Sequence, residues 1–333
     1  MPFNRPFIVV LLLLIVAVFS FQRWGGEGRG EVRRSRIIMG TVVEITALGE
    51  DQDALEAAVN DAFAEMSRIE GLMSPHLPGS DVARLAGPVS SLEVSPDTAA
   101  VLTLGLQVAR VSGGAFDMTL GRLKELWGVE TENPRVPAAG DIAEALQGTG
   151  LEALRLDGTR VEKGAVDLAV DLGGIAKGYA VDRAAAVLKN AGIERASINA
   201  GGDLRLLGDH QGRPWRIGIQ HPRQDQVMLA TLALADTAVV TSGDYERFFE
   251  KDGRRYHHLF DPRTGYPSAA SQSVTVVADS AMLADALATA AFVLGPEAGL
   301  ALLEQFPGAE GMVVGADGVP HPSPGLKERL SWP

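Results

Sequence analysis

The sequence predicts an α+β fold with largely antiparallel sheets and flanking helices. Two patterns carry this expectation: short segments of alternating apolar and polar residues recur at hairpin spacing, and longer segments between them repeat apolar residues every three or four positions. A third observation makes it affordable in core. Of 333 residues, 46% are hydrophobic, enough to bury a sizeable interior in one large domain or two ordinary ones.

The chain opens with Arg5, roughly fifteen apolar residues from Phe7 to Phe21, then Arg23 and Trp24. At ~1.5 Å per residue this run barely approaches a ~30 Å hydrocarbon core, so residues 1–24 suit a cleaved signal peptide or a short membrane anchor. Gly25, Gly26, Gly28 and Gly30 mark 25–35 as a flexible tether, leaving 36–333 as one folded domain. Basic residues flank the apolar run on both sides, so charge alone does not set its orientation. Export to the periplasmic side, inner-membrane anchored or secreted after cleavage, is the expectation for a lone N-terminal segment before a large domain.

From Arg36, "RIIMGTVVEITALG" alternates as a strand, and "DALEAAVNDAFAEMSRIEGLM" has the spacing of an amphipathic helix. "SPHLPGSDVARLAGP" is rich in loop formers. Ser95 with Pro96 opens a helix that Gly113 and Gly114 close. "GAFDMTLGRLKELWG" is short and bounded by glycines, and "TENPRVPAAGD" reads as an exposed linker or insertion. "LRLDGTRVEKGAVDLAVDLGG" gives short strands about the Asp157-Gly158 turn and runs into a helix from about Ile175 to Asn190. "RASINAGGDLRLLG", "WRIGIQHP", "LATLALADTAVVTSG" and "RRYHHLF" read as four further strands, "SQSVTVVAD" as a fifth and "SAMLADALATAAFVLG" as a helix.

Composition excludes several chemistries. With no cysteine there is no disulfide, thiolate nucleophile or lipid-modified cysteine, and a metal must use oxygen or histidine ligands. A formal charge of −12 argues against a general nucleic-acid surface. Dinucleotide-fold, P-loop, nucleophile-elbow and zincin signatures are all absent.

Four stretches carry candidate chemistry. In "DLGGIAKGYAVD", Asp171 to Asp182, two glycines precede a helix with Lys177 in its first turns. Backbone N–H groups, a cation and a carboxylate converge there, which suits a phosphate or phosphate-bound metal, though a packing turn has the same pattern. Asp285 and Thr289 share one helix face among alanines and make a hard-oxygen set for Mg²⁺; a capping or surface aspartate is the alternative. His258, at a strand end before the "DPRTG" turn, suits an imidazole that moves protons, with His257 on the opposite, solvent-facing side; a structural histidine is the alternative. "NAGGD" from Asn199 and "TSGDYERF" from Thr241 end strands in small residues and leave room for a flat ligand.

Together with Met39-Gly40-Thr41 and "GAFDMT" at Gly114, these motifs in this order resemble the ApbE family of FAD:protein FMN transferases, from about Met39 to Gly295. The resemblance implies a single catalytic domain of T-fold-like architecture. It implies transfer of FMN from FAD to a Thr or Ser hydroxyl of an exported or membrane-bound acceptor protein, with Mg²⁺ and release of AMP. By position it implies Asp285, Thr289 and backbone oxygens of Gly174 and Ala288 for the metal. Met39, Ala115, Phe116, Asp117, Asp171, Lys177 and Leu259 fall to FAD, and His258 stands beside the reacting phosphate. His76 stands where many relatives carry a stacking tyrosine, and Arg122 follows Gly121 where a proline is common. Two other readings share these residues: a metal-dependent FAD pyrophosphatase and a noncatalytic exported flavin-binding protein.

Overall fold

The computed structural model describes residues 30–333. The 1–24 leader and the first residues of the tether lie outside them, and no helix among the described residues is long and apolar enough to cross a membrane.

The first strand reading is corrected at once. Residues 36–49 are not one strand: β1 (Gly30–Ile38) and β2 (Thr41–Gly49) form a hairpin turning on Met39 and Gly40, whose φ values are 54° and 69°. Two successive left-handed residues give the turn that matches strand twist, and glycine takes the second position without strain. Residues 30–35, expected as tether, pair with β2 from Gly30↔Gly49 to Ser35↔Glu44. Residues 31–36 carry a single apolar side chain, Val32, so no alternation marks them as a strand.

α1 (Gln52–Met73) is capped by Asp51, whose carboxylate accepts the Ala54 N–H at 3.0 Å, and it buries Leu55, Val59, Phe63, Met66, Ile69 and Met73 along one stripe. The loop-rich stretch after it contains α2 (Asp81–Ala86), too short to show periodicity, and β3 (Ser91–Glu93). Ser95 and Pro96 open α3 (Pro96–Val111) as anticipated. α4 (Gly121–Trp127) and α5 (Ala139–Ala145) bracket the proline-rich insertion, and β4 (Leu154–Asp157) pairs with β5 (Arg160–Lys163). Residues 164–175, read as running on in strands, are loop, tied by Asp171 N–H to the Met118 carbonyl at 2.8 Å. α6 (Ala176–Asn190) follows.

"RASINAGGDLRLLG" is likewise a hairpin, β6 (Arg195–Ala200) and β7 (Asp203–Leu207). After β8 (Trp215–Gln220), "LATLALADTAVVTSG" divides at Asp236, φ 46°, into β9 (Met228–Leu234) and β10 (Ala238–Gly243), which enter different sheets. β11 (Phe248–Lys251) and β12 (Arg254–His257) pair with each other alone; β13 (Ser271–Ala278) leads into α7 (Ala281–Leu294) and α8 (Pro296–Leu303). β14 (Glu310–Gly315), β15 (Pro320–Pro322), α9 (Pro324–Lys327) and β16 (Leu330–Ser331) complete the chain.

The main sheet has the order β1-β2-β6-β7-β10-β13-β14-β15, every neighbour antiparallel. The predicted α+β class with antiparallel sheet is what forms. On one face α1, α6 and α7 share a continuous apolar core with the sheet. On the other, Leu206, Val239, Val277 and Met312 meet Trp215, Ile219, Leu232 and Leu234 of the small β16-β9-β8 sheet. A separate aromatic cluster gathers on fully buried Trp127, with Tyr256, Phe260 and Tyr266 rings 5.5, 5.7 and 5.6 Å away. Trp127 Nε1–H also donates to the Gly265 carbonyl at 2.9 Å, fastening the 258–267 turn to α4.

Candidate active site

The Met39-Gly40 and Gly201-Gly202 turns and the end of β10 lie together at one end of the main sheet and border a cavity of about 470 Å³, in the range of small-molecule sites. A second concavity of about 530 Å³, between the C-terminal end of α6 and Gly208, is shallow and gathers none of the candidate residues.

The inner wall is set by how closely α6 approaches α7. A Cβ on Gly178 would stand 2.2 Å from the Ala281 carbonyl oxygen, so only glycine permits this contact. Asp182, which ends the same motif, accepts from Ser280 Oγ at 2.8 Å and from the N–H groups of Ala281 and Met282 at 3.0 and 2.9 Å. It thereby satisfies free donors at the start of α7 and locks the two helices in register. One turn further, Asp285 Oδ2 accepts the Gly178 N–H at 3.0 Å. Its side chain is 3% exposed, and burial, only partly offset by Lys177, pushes its carboxyl up to about 7. Among the described residues Oδ1 has no protein donor, and Asp285 lines the cavity beside Thr289. Gly174 joins them, since its Cβ position lies 2.9 Å from Thr289 Oγ1. Lys177 is hydrogen-bonded to buried Asp203. Ala288 alone of the anticipated metal set does not line the cavity; it is fully buried within α7.

The outer wall comes from loops. Asp171 Oδ1 accepts from Gly173 N–H at 2.9 Å and from Lys124 Nζ at 2.8 Å. Ala115, Phe116 and Asp117 follow α3, with Asp117 Oδ1 accepting the Thr119 N–H at 2.7 Å and hydroxyl at 2.6 Å; burial raises its pKa. His258 Nδ1 lies 3.2 Å from the Arg247 carbonyl, which also accepts the His258 backbone N–H. A carbonyl only accepts, so Nδ1 carries the proton and Nε2 keeps its lone pair. Burial, then the Lys124 and Arg247 charges, lower this imidazole to about 3, so it is neutral in the free protein.

His257 is not solvent-facing. It is 4% exposed, donates from Nε2 to the Ser268 carbonyl at 2.9 Å, accepts the Leu259 N–H at Nδ1 at 3.2 Å and stands edge-on to Phe292. Strand alternation puts it opposite His258 correctly; what covers that side is α7 and the 259–268 turn rather than water.

Residues 39–313 match the model described as the ApbE family. The chain belongs to the ApbE family. It is 32% identical to the FAD:protein FMN transferase of Treponema pallidum, over 97% of this chain and 94% of that protein. Against the enzyme of the same name from Vibrio cholerae the identity is 36%, over 82% and 84%. The solved ApbE protein of Thermotoga maritima superposes with a TM-score of 0.83 at 37% identity, covering 90% of this chain and 99% of that one. The flavin transferase ApbE of Vibrio cholerae gives 0.81 at 32% identity, covering 91% and 100%.

Each ApbE-family motif found in the sequence contributes to the one cavity: Met39 and Thr41, Ala115 to Asp117, Asp171 to Lys177, Gly201 and Asp203, Thr241 to Arg247, His258 and Leu259, Asp285 and Thr289. Of the departures, His76 is an exposed residue on the rim, and Arg122 lies away from the cavity, ion-paired with Asp167 at 2.6 Å. Sequence reasoning missed Glu70, which holds the Met39 N–H at 2.8 Å, and Lys124, Glu130, Asp203, Glu246 and Arg247. Asp203, Glu246 and Arg247 stood within quoted motifs and could have been singled out; Glu130 carries no local signal.

Proposed function

We propose that this chain transfers FMN from FAD to a Thr or Ser hydroxyl of an acceptor protein and releases AMP, with Mg²⁺ assisting. The observation that carries the reading is the convergence of buried Asp285 and the free Nε2 of His258 on one cavity of about 470 Å³. The acceptor hydroxyl attacks the FMN phosphorus, an O–P bond forms, the diphosphate bond to AMP breaks, and His258 Nε2 takes the hydroxyl proton. An entering diphosphate brings negative charge that raises the basicity of an imidazole otherwise depressed by burial and, after it, by two cations.

The cavity is short of positive charge for such a ligand. Its lining includes seven carboxylates against three basic side chains, and among the described residues no three His, Asp or Glu gather as a metal cage. Asp285 Oδ1, Thr289 Oγ1 and nearby carbonyls of the Gly174 corner fit a hard divalent cation, which would hold one carboxylate rather than several. When bound, Mg²⁺ supplies charge neutralisation for the diphosphate. Lys177 and Asp203 fix the corner's electrostatics, while Met39, Phe116 and Leu259 provide apolar surface beside the nucleotide. The acceptor is an exported or membrane protein, and residues 1–24 bring the domain to the same compartment.

The test uses the full chain with FAD, MgCl₂ and an acceptor protein, read by in-gel flavin fluorescence, peptide mass and AMP release. Covalent FMN on a Thr or Ser with stoichiometric AMP supports the reading. Free FMN without labelling assigns a pyrophosphatase instead, and bound, intact FAD assigns a flavin-binding protein.

A further inference from the structure

Each of the three basic side chains lining the cavity is already paired with a carboxylate. Lys124 meets Asp171 at 2.8 Å, Lys177 meets Asp203, and Arg247 Nη1 meets Glu130 Oε2 at 2.8 Å. An entering diphosphate therefore finds no uncommitted protein cation among the described residues; one of these pairs must open for the protein to contribute charge.

The pairs are not equally easy to open. Side-chain exposures are 26% and 20% for Lys124–Asp171, 23% and 2% for Lys177–Asp203, and 36% and 39% for Arg247–Glu130. Breaking a buried pair strands a charge away from water, whereas a solvent-facing pair is weakly held and its released carboxylate is hydrated at once. Asp203 cannot be released into water; Glu130 can.

Arg247 is also placed to use its freedom. Its backbone is fixed, because its carbonyl receives both the N–H and the Nδ1–H of His258. Its side chain reaches the Met39-Gly40 turn that borders the cavity, with Nη2 3.8 Å from the Cβ position of Gly40. A guanidinium presents paired donors that match phosphate oxygens, which an ammonium cannot do in the same fixed plane. Glu130 sits in the turn that follows α4 and is itself exposed at the border of the cavity.

We propose that Glu130 holds Arg247 in reserve, and that the guanidinium exchanges this carboxylate for the diphosphate of the incoming nucleotide. Arg247 is then a phosphate-binding residue that selects diphosphate ligands, and Glu130 is the internal competitor that limits their affinity. The identity of the ligand rests on the function proposed above; the exchange itself requires only a diphosphate.

The test measures affinities of the full chain for FAD, ADP and riboflavin by calorimetry, in the wild type and in Glu130→Gln, Arg247→Met, Arg247→Lys and Glu130→Gln/Arg247→Met. Glu130→Gln should tighten FAD and ADP by roughly 5-fold or more and leave riboflavin unchanged. Arg247→Met should weaken FAD and ADP by about 10- to 100-fold, with Arg247→Lys between it and the wild type. The gain from Glu130→Gln should vanish in the double variant, since the carboxylate then has nothing to compete for. Unchanged FAD and ADP affinity in Glu130→Gln, an equal shift for riboflavin, or a gain that survives Arg247→Met would overturn the exchange. A wild type that labels an acceptor while showing any of these leaves the transferase reading standing and removes only this inference. A wild type that binds ADP with the expected variant pattern but labels nothing does the reverse.

Discussion

The two walls of the cavity are built by opposite means. The inner wall rests on backbone contact: Gly178 against Ala281, and Asp182 on the first N–H groups of α7, with Asp285 buried at 3% exposure between them. The outer wall is loop, steadied by the Trp127 cluster, and presents half-buried His258 and the solvent-facing Arg247–Glu130 pair. A carboxylate that must stay charged against its own desolvation needs rigid packing around it, whereas groups that meet an incoming substrate and pass a proton belong on segments that can adjust.

The sharpest test of this division lies on the outer wall. His258→Ala should lower the transfer rate by ~10²–10⁴-fold, the usual worth of a positioned proton acceptor, while FAD still binds. Single-turnover labelling beside a binding isotherm checks it. Equal loss of binding would mean the imidazole shapes the wall rather than serving the reaction.

On the inner wall the expected loss is on the order of 10²–10³-fold for Asp285→Asn, because several kcal/mol of charge stabilisation would go with the carboxylate. Stability should move the other way. A folded-state pKa of about 7, above the unfolded value of 3.8, means that wild-type stability falls as pH rises between them. Without metal at pH ~8, Asp285→Asn should therefore melt higher than the wild type. Added Mg²⁺ should raise the wild-type Tm and leave the variant unmoved. A variant that melts lower without metal would show that Asp285 is a structural cap and nothing more.

Gly178→Ala asks whether the inner wall tolerates adjustment. Its Cβ would meet a backbone oxygen at 2.2 Å, and backbone yields less than a side chain tip. A cost of about 3 kcal/mol is expected from denaturant unfolding, with activity falling alongside as Asp285 shifts. Retained activity at reduced stability would place the inner wall's tolerance nearer that of the loops.

The same contrast explains what could be read from the sequence. The helices were legible because their signals are local: Ser95-Pro96 at the start of α3, the apolar stripe of α1 and, on the inner wall, the alanine face around Asp285. The motif ending in Asp182 was visible too, but its work of capping α7 appears only when the two helices meet. Hairpins were harder. Met39-Gly40 and Asp236 reverse the chain inside runs that alternate without a break, and β14 is a continuous apolar run with no alternation to mark it. The outer wall was least legible, because Arg247, though inside a quoted motif, takes its role from Glu130, which meets it across the fold and carries no pattern in its own neighbourhood.

His257 gives the smallest expected effect on catalysis and the closest control. Both of its nitrogens are committed to the backbone, so His257→Phe should leave the transfer rate intact and cost about 1–3 kcal/mol through the unpaired Ser268 carbonyl and Leu259 N–H. Acid separates the two neighbours further. Burial lowers the pKa of both, so each favours folding at neutral pH and opposes it as pH falls below the unfolded value of 6.5. For His258 the window extends down to about 3. Its removal should flatten the acid limb of the stability curve more than removal of His257. The reverse order, measured by denaturant unfolding from pH ~7 to ~4, would mean that His258 protonates in the folded state before the protein unfolds, and that the cationic wall around it is looser than its packing indicates.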